Sequence, residues 1–426
     1  MLHMTLTSVS QSPQGPALDT RLIQHAYQPP AGFVAPQPAV HKASTVIFPS
    51  VAAMRQREWK NKTGYTYGLH GTPTTFTLEE RLCTLEGGRH CLLLPSGLAA
   101  IACVDLALLH PGDEVLIPDN AYAPGKDLAR AELARFGIKA VLYDPMDCQD
   151  LSARITPATR LVWLEAAGSV TMEFPDLCTQ VRLCREKGVI TALDNTWGAG
   201  VAFAPFDLLG DGSLGVDISI HALTKYPSGG GDVLMGSVMT RDERLHRTLQ
   251  QTHMRLGMGV AANDAEAVLR SLPTIALRYH AQDQSARVLA QWLQGQSAVA
   301  QVLHPVLPES PGHVHWKALC SQAGQAAAAG LFSIIVDARF HQAQVDAFCD
   351  ALRLFHVGYS WGGPMSLVVP YESRGLRSMP TPHLAQGSLV RFAVGLESTA
   401  DLQADLAQAL QVLTSSRQNI STSIHP

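Results

Sequence analysis

Between Cys91 and Met239 the chain repeats one pattern: a short run of apolar residues, then a helical stretch. The runs Cys91-Leu-Leu-Leu, Glu114-Val-Leu-Ile, Ala140-Val-Leu-Tyr and Arg160-Leu-Val-Trp-Leu-Glu165 predict strands separated by helices. Val189 to Asp194, Ile218 to Ala222 and Val233 to Met239 continue the series. These runs are apolar throughout rather than alternating, which predicts strands buried on both faces. The expected fold class is α/β, built on an open, mostly parallel central sheet.

The texture changes on either side. The first 33 residues are polar and contain Pro and Gln, and are expected to be poorly ordered at the start. Gly64 to Thr75 reads as a turn-rich loop, followed by a helix with Thr77 as its cap and Glu79 and Glu80 in its first turn. After Pro273, long helical stretches (Gln282 to Gln294, Gln342 to Leu352, Ser398 to Leu413) surround strand-like Gly330 to Val336 and Ser388 to Phe392. The predicted organisation is an N-terminal arm over 1–74, a large domain over 75–272, a smaller α+β C-terminal domain over 273–414, and a tail over 415–426.

Composition narrows the function classes. At 426 residues the chain can bury sizeable cores, and with 16% charged and 46% apolar residues it is expected to be a compact enzyme. The net charge of −4 gives no electrostatic case for nucleic acid or an anionic membrane. No apolar run approaches the roughly 20 residues that span a bilayer, and the N-terminus lacks signal-peptide regions, so a cytoplasmic protein is expected. The eight cysteines form no Cys-x-x-Cys pair and are expected to be buried thiols. His313-Val-His315 has no acidic or Cys partner nearby and reads as loop rather than metal site.

Two strand ends carry candidate chemistry. The first apolar run stops at Asp194-Asn-Thr-Trp197, and the second leads to Thr224-Lys225-Tyr and a Gly-rich turn. Alone, a lysine is usually a solvated charge and Asp-Asn a turn signal. Together they suit pyridoxal phosphate (PLP): the lysine carries the cofactor covalently and the aspartate keeps the pyridine nitrogen protonated. Pro95-Ser96-Gly97-Leu98 is a strand-to-helix turn, the kind of helix N-terminus that receives a phosphate. Arg391 stands in an apolar segment, where a guanidinium needs an anion, either a structural partner or a substrate carboxylate.

These motifs, in this order, resemble the Cys/Met-metabolism family of PLP enzymes, from about Val34 to about Leu413. The resemblance rests on Asp-Asn-Thr-Trp at 194–197, Ser-Ile-x-Ala-x-Thr-Lys-Tyr at 219–226 and Arg-Phe-Ala-Val-Gly-Leu-Glu at 391–397. It implies an aminotransferase-like fold (fold type I) and phosphate held by the N–H groups of Gly97 and Leu98 with the Thr224 hydroxyl. It also implies Tyr122 stacked on the pyridine, and Arg391 holding the substrate carboxylate with help from Ser360 and Trp361. Lys225 would be the general base, and Lys225 or Tyr122 would protonate the leaving sulfur. Tyr67 would reach a neighbouring subunit's cofactor in a homotetramer of active-site-sharing dimers.

Within the family, Ser360-Trp361-Gly-Gly and Glu165-Ala-Ala-Gly-Ser169-Val-Thr-Met-Glu173 resemble the forms found with β-elimination. The implied reaction is release of homocysteine, pyruvate and ammonia from L-cystathionine. The alternatives are γ-elimination or γ-replacement, a general cysteine-S-conjugate lyase, and a binding or regulatory protein of the same fold. Two departures stand out. Leu69, followed by His70, occupies the position where the family has a phosphate-binding arginine, so either His70 substitutes in part or PLP is held with one fewer contact. Gly230 occupies a position where many relatives have histidine.

Overall fold

The computed structural model describes residues 17–24, 31–33, 35–321, 326–372 and 377–415. The apolar runs pair into one seven-stranded sheet: β1 (His90–Leu94), β2 (Glu114–Pro118), β3 (Lys139–Tyr143), β4 (Thr159–Glu165), β5 (Ile190–Asp194), β6 (Ile218–His221) and β7 (Gly236–Thr240). Their order across the sheet is β1-β7-β6-β5-β4-β2-β3. The β6–β5–β4–β2–β3 ladder is parallel, and β7 runs antiparallel to both β6 and β1. Helices cover both faces, which is why β2 and β7 are buried along their whole length.

One apolar core lies between this sheet and the helix Pro73–Glu86, and reaches residues of the C-terminal third such as Leu303 and Leu389. Another lies under the helix Gly97–Leu108 on the opposite face. Each fully buried Leu, Ile or Val in them contributes about 1.5–3 kcal/mol. The C-terminal third forms a five-stranded sheet ordered β10-β11-β12-β9-β8. Its strands are β8 (Val299–Leu303), β9 (Leu331–Asp337), β10 (His356–Val357), β11 (Leu367–Tyr371) and β12 (Gly387–Ala393). The helices Ile275–Gln294, Gln342–Asp350 and Thr399–Ser415 pack on it around Phe332, Phe348 and Phe392.

Several expectations are corrected. The helix after the turn-rich loop is capped by Thr72, not Thr77, because Pro73 supplies a preset first turn and Thr72 and Thr75 form a capping box. The Thr77 hydroxyl donates to the Pro73 carbonyl at 2.8 Å instead. The strand expected from Val233 begins only at Gly236, since the Met235 backbone pairs with Thr224: its N–H donates to Oγ1 and its carbonyl accepts from the Thr224 N–H, both at 3.3 Å. His313 and His315 lie in a helix, His313–Cys320, rather than a loop. Gly312, left-handed at φ 84°, starts that helix, and Trp316 and Leu319 bury its inner face. Part of the arm expected to be unordered is the helix Leu18–Ile23, anchored by buried Leu22, while residues 1–16 and 416–426 lie outside the described residues. No helix among the described residues is long and apolar enough to cross a membrane.

Candidate active site

The C-terminal ends of β4 and β5, the turn after β6, and β11 and β12 enclose a cavity of about 550 Å³. It lies at the carboxyl edge of the parallel strands, the usual ligand position in an open α/β sheet. Gly97, Leu98, Tyr122, Asp194, Thr224, Lys225, Ser360, Trp361 and Arg391, nine of the ten residues singled out from the sequence, line this one space. Tyr67 does not. It is half exposed on the N-terminal arm, in an isolated bridge to Thr45 and edge-on to His70.

Lys225 does not close its strand. β6 ends at His221, and Lys225 follows in the turn, its N–H donating to Ala222 at 3.1 Å. This turn aims Nζ into the cavity, where it donates to Ser360 Oγ at 2.7 Å and lies 5.5 Å from the centre of the Trp361 ring. Burial, then the Arg391 charge, bring its pKa down to about 8 against the opposing pull of Asp194. Such an amine is neutral in a useful fraction near neutral pH, as a nucleophile or base requires. Ser360 adopts a left-handed conformation, φ 84°, to present its hydroxyl there.

Asp194 ends β5 as expected, and its carboxylate accepts from the Thr196 N–H at 3.0 Å. Burial raises its pKa despite Thr196, His221 and Lys225. A desolvated carboxyl of this kind gains by facing a cation. Beside it, Glu165 ends β4 in direct register with Asp194 and accepts the Tyr122 N–H at 2.9 Å. Burial and then the Asp194 charge push Glu165 well above the usual carboxylate range. From sequence Glu165 stands out only as part of a segment, though it carries the same signal as Asp194, an acid closing an apolar run.

Where Gly97, Ala222 and Thr224 line the cavity, the wall is a backbone cradle. Ser96 caps the helix Gly97–Leu108 through the Ala99 N–H at 3.0 Å, and the helix's first N–H groups have no partner within it. A Cβ on Gly97 would stand 2.6 Å from the Ala222 Cβ, and one on Gly236 would stand 2.3 Å from the Ser96 carbonyl. Glycine at both positions lets the three backbones close together, and PLP's phosphate fits this cradle.

Arg391, in β12, also lines the cavity and is buried with its Nε unpartnered among the described residues. Burial lowers its pKa, while Tyr371, Tyr359 and Tyr122 act in the opposite direction. Its guanidinium lies 5.5 Å from the Tyr371 ring centre. A buried guanidinium with a free donor fits a carboxylate ligand, so the structural ion pair considered from sequence gains no support.

On the arm, neither Leu69 nor His70 lines this cavity. Leu69 lies against Gly259, where an added Cβ would sit 3.0 Å from Leu69 Cδ1. His70 Nδ1 is 2.8 Å from Thr66 Oγ1 and its ring stacks on Trp59 at 4.9 Å, with a pKa lowered by burial. A Cβ on Gly230 would stand 2.4 Å from the Asp232 carboxylate, the exposed end of a side chain that can move aside, and nothing in the structure explains the glycine there.

Residues 19–411 match the family described as Cys/Met metabolism PLP-dependent enzyme. The chain is 39% identical over 400 residues to a putative cystathionine beta-lyase of Rhizobium johnstonii, covering 92% of this chain and 96% of that one. It is 34% identical over 394 residues to cystathionine beta-lyase MetC of Escherichia coli, covering 91% and 97%. Its fold superposes with a TM-score of 0.82 on cystathionine gamma synthase of Xanthomonas oryzae pv. oryzae, solved with aminoacrylate and cysteine, at 28% identity over 94% of this chain and 99% of that one.

Proposed function

Because the chain belongs to the Cys/Met metabolism family of PLP-dependent enzymes, we propose that it cleaves L-cystathionine by β-elimination, releasing homocysteine, pyruvate and ammonia. The observation that carries the proposal is the single cavity shared by Lys225, Asp194 and Arg391, whose buried Nε has no partner among the described residues. Bound PLP supplies the electron sink that makes the substrate Cα–H acidic. Gly97, Leu98 and Thr224 would hold its phosphate, Asp194 would keep its ring nitrogen protonated and Tyr122 would pack against its ring. Arg391 binds the substrate α-carboxylate, with Ser360 and Trp361 beside it. The Lys225 amine, oriented by Ser360, takes the proton from Cα. Lys225 or Tyr122 then returns a proton to the departing sulfur.

The same reading makes the enzyme a homotetramer whose arm, through Tyr67, completes the neighbour's site. It also makes it a cytoplasmic protein, in keeping with its free thiols. It also divides the chain into an arm over 1–74, a large domain over 75–272, a smaller C-terminal domain over 273–414 and a tail over 415–426. Elimination at γ is the second reading, favoured by the similarity to a γ-synthase structure. Incubating PLP-loaded protein with L-cystathionine separates the two. Homocysteine with pyruvate is expected, whereas cysteine with 2-oxobutyrate would assign γ-elimination and overturn the β reading.

A further inference from the structure

Outside the cavity, one buried ion network has no part in the chemistry above. Asp119, just after β2, and Glu173 are both fully buried, and one guanidinium, that of Arg377, spans them. Arg377 Nε donates to Asp119 Oδ2 at 3.0 Å, and Nη1 donates to Glu173. The N–H groups of Ser378 and Met379 also donate to Asp119, both at 2.9 Å. Glu173 further accepts from Asn120 at 2.8 Å, from Thr171 at 2.7 Å and from His383. Burial alone would raise the Glu173 carboxyl, but His383 and Arg377 bring it down to about 2. Two dehydrated anions are tolerable only with this full set of donors, and most of the donors come from residues 377–383.

Both ends of the network adjoin the cavity. Asp119 stands three residues before Tyr122, and Glu173 follows Met172, the end of the Gly168–Met172 wall. Asn120 joins the two, its carbonyl accepting from the Ser169 N–H at 3.0 Å. The 377–383 segment leads directly into β12 and so to Arg391. We infer that Arg377 is a positioning residue, a strap that sets the spacing between the Tyr122 side of the site and the Arg391 side. The inference rests on the roles given above to Tyr122 and Arg391. A strap that only stabilised the fold could join any two surfaces. This one joins the two loops that carry the cofactor-facing and wall residues to the strand that carries the carboxylate anchor.

The test is Arg377→Lys in the PLP-loaded enzyme, because one ammonium cannot make the split contact of a guanidinium. KM for L-cystathionine is expected to rise at least about tenfold while kcat falls less than about threefold, the split of weakened ground-state placement. The apoprotein's dissociation constant for PLP, read by fluorescence titration, is expected to rise several-fold as Tyr122 loosens. Unchanged KM and PLP affinity, even with a lower melting temperature, would overturn the inference and leave a purely structural staple. If Arg377→Lys fails to fold, Glu173→Gln keeps the shape and removes one charge. The same KM rise is expected there, and wild-type kinetics would overturn the inference. A wild-type enzyme that forms no pyruvate would refute the reaction instead, and the PLP titration would still decide the strap.

Discussion

Lys225 carries a cost that its chemistry explains. Its amine is buried and its pKa is brought to about 8 from an ordinary 10.5. In the cofactor-free protein the penalty is fully present below pH 8, where both folded and unfolded chains carry the charge. Between about pH 8 and 10.5 only the unfolded chain stays protonated, so stability rises with pH across that window. Lys225→Met should therefore abolish turnover yet stabilise the apoprotein at pH 7 by on the order of 3 kcal/mol. Denaturant melts at pH 7 and pH 10.5 check this: the gain should be present at the first and nearly gone at the second. Residual lyase activity in the variant would remove Lys225 from its role. Asp194, Glu165 and Lys225 each depend on burial for their altered acidity, and that burial comes from the elements around them.

At the scale of elements, the phosphate cradle depends on three backbones meeting at Gly97, Ala222 and Gly236. Gly97→Ala would place a methyl group 2.6 Å from the Ala222 Cβ and force the helix N-terminus away from the turn. We expect the dissociation constant for PLP to rise at least about tenfold, or about 1.4 kcal/mol, in an apoprotein titration. Unchanged affinity would mean the phosphate lies elsewhere. Much of this region was legible in the sequence, because an apolar run ending in an acid and a strand-to-helix turn starting at Ser-Gly are local signals. The late start of β7 was not, since it follows from Met235 pairing with Thr224 eleven residues away. Nor was the helix at His313, whose Pro- and Gly-rich approach resembles a loop until Trp316 finds its pocket, its indole N–H donating to Ala327 at 3.0 Å. The Arg377 network was equally invisible, because its ion pairs join residues more than 200 positions apart.

For the whole molecule, the surface offers apolar residues a monomer has no use for: Ile47 is 91% exposed, Leu234 72% and Tyr359 80%. Leu234 and Tyr359 also line the cavity, so a second copy covering them would complete the site's mouth. Shared sites make a sharp prediction. Mixing inactive Lys225→Met with inactive Tyr67→Ala chains should restore up to about a quarter of wild-type activity, since half the dimers are mixed and each has one intact site. No recovery, with chain exchange verified by sedimentation, would confine each site to one chain. The position of β12 has a consequence for how the molecule is made. It is the last strand in sequence, yet it lies in the interior of the five-stranded sheet, between β11 and β9, and carries Arg391. If Arg391 is the carboxylate anchor proposed above, a nascent chain that has already brought Gly97, Ala222 and Gly236 together still cannot grip a substrate until nearly all of it has been synthesised.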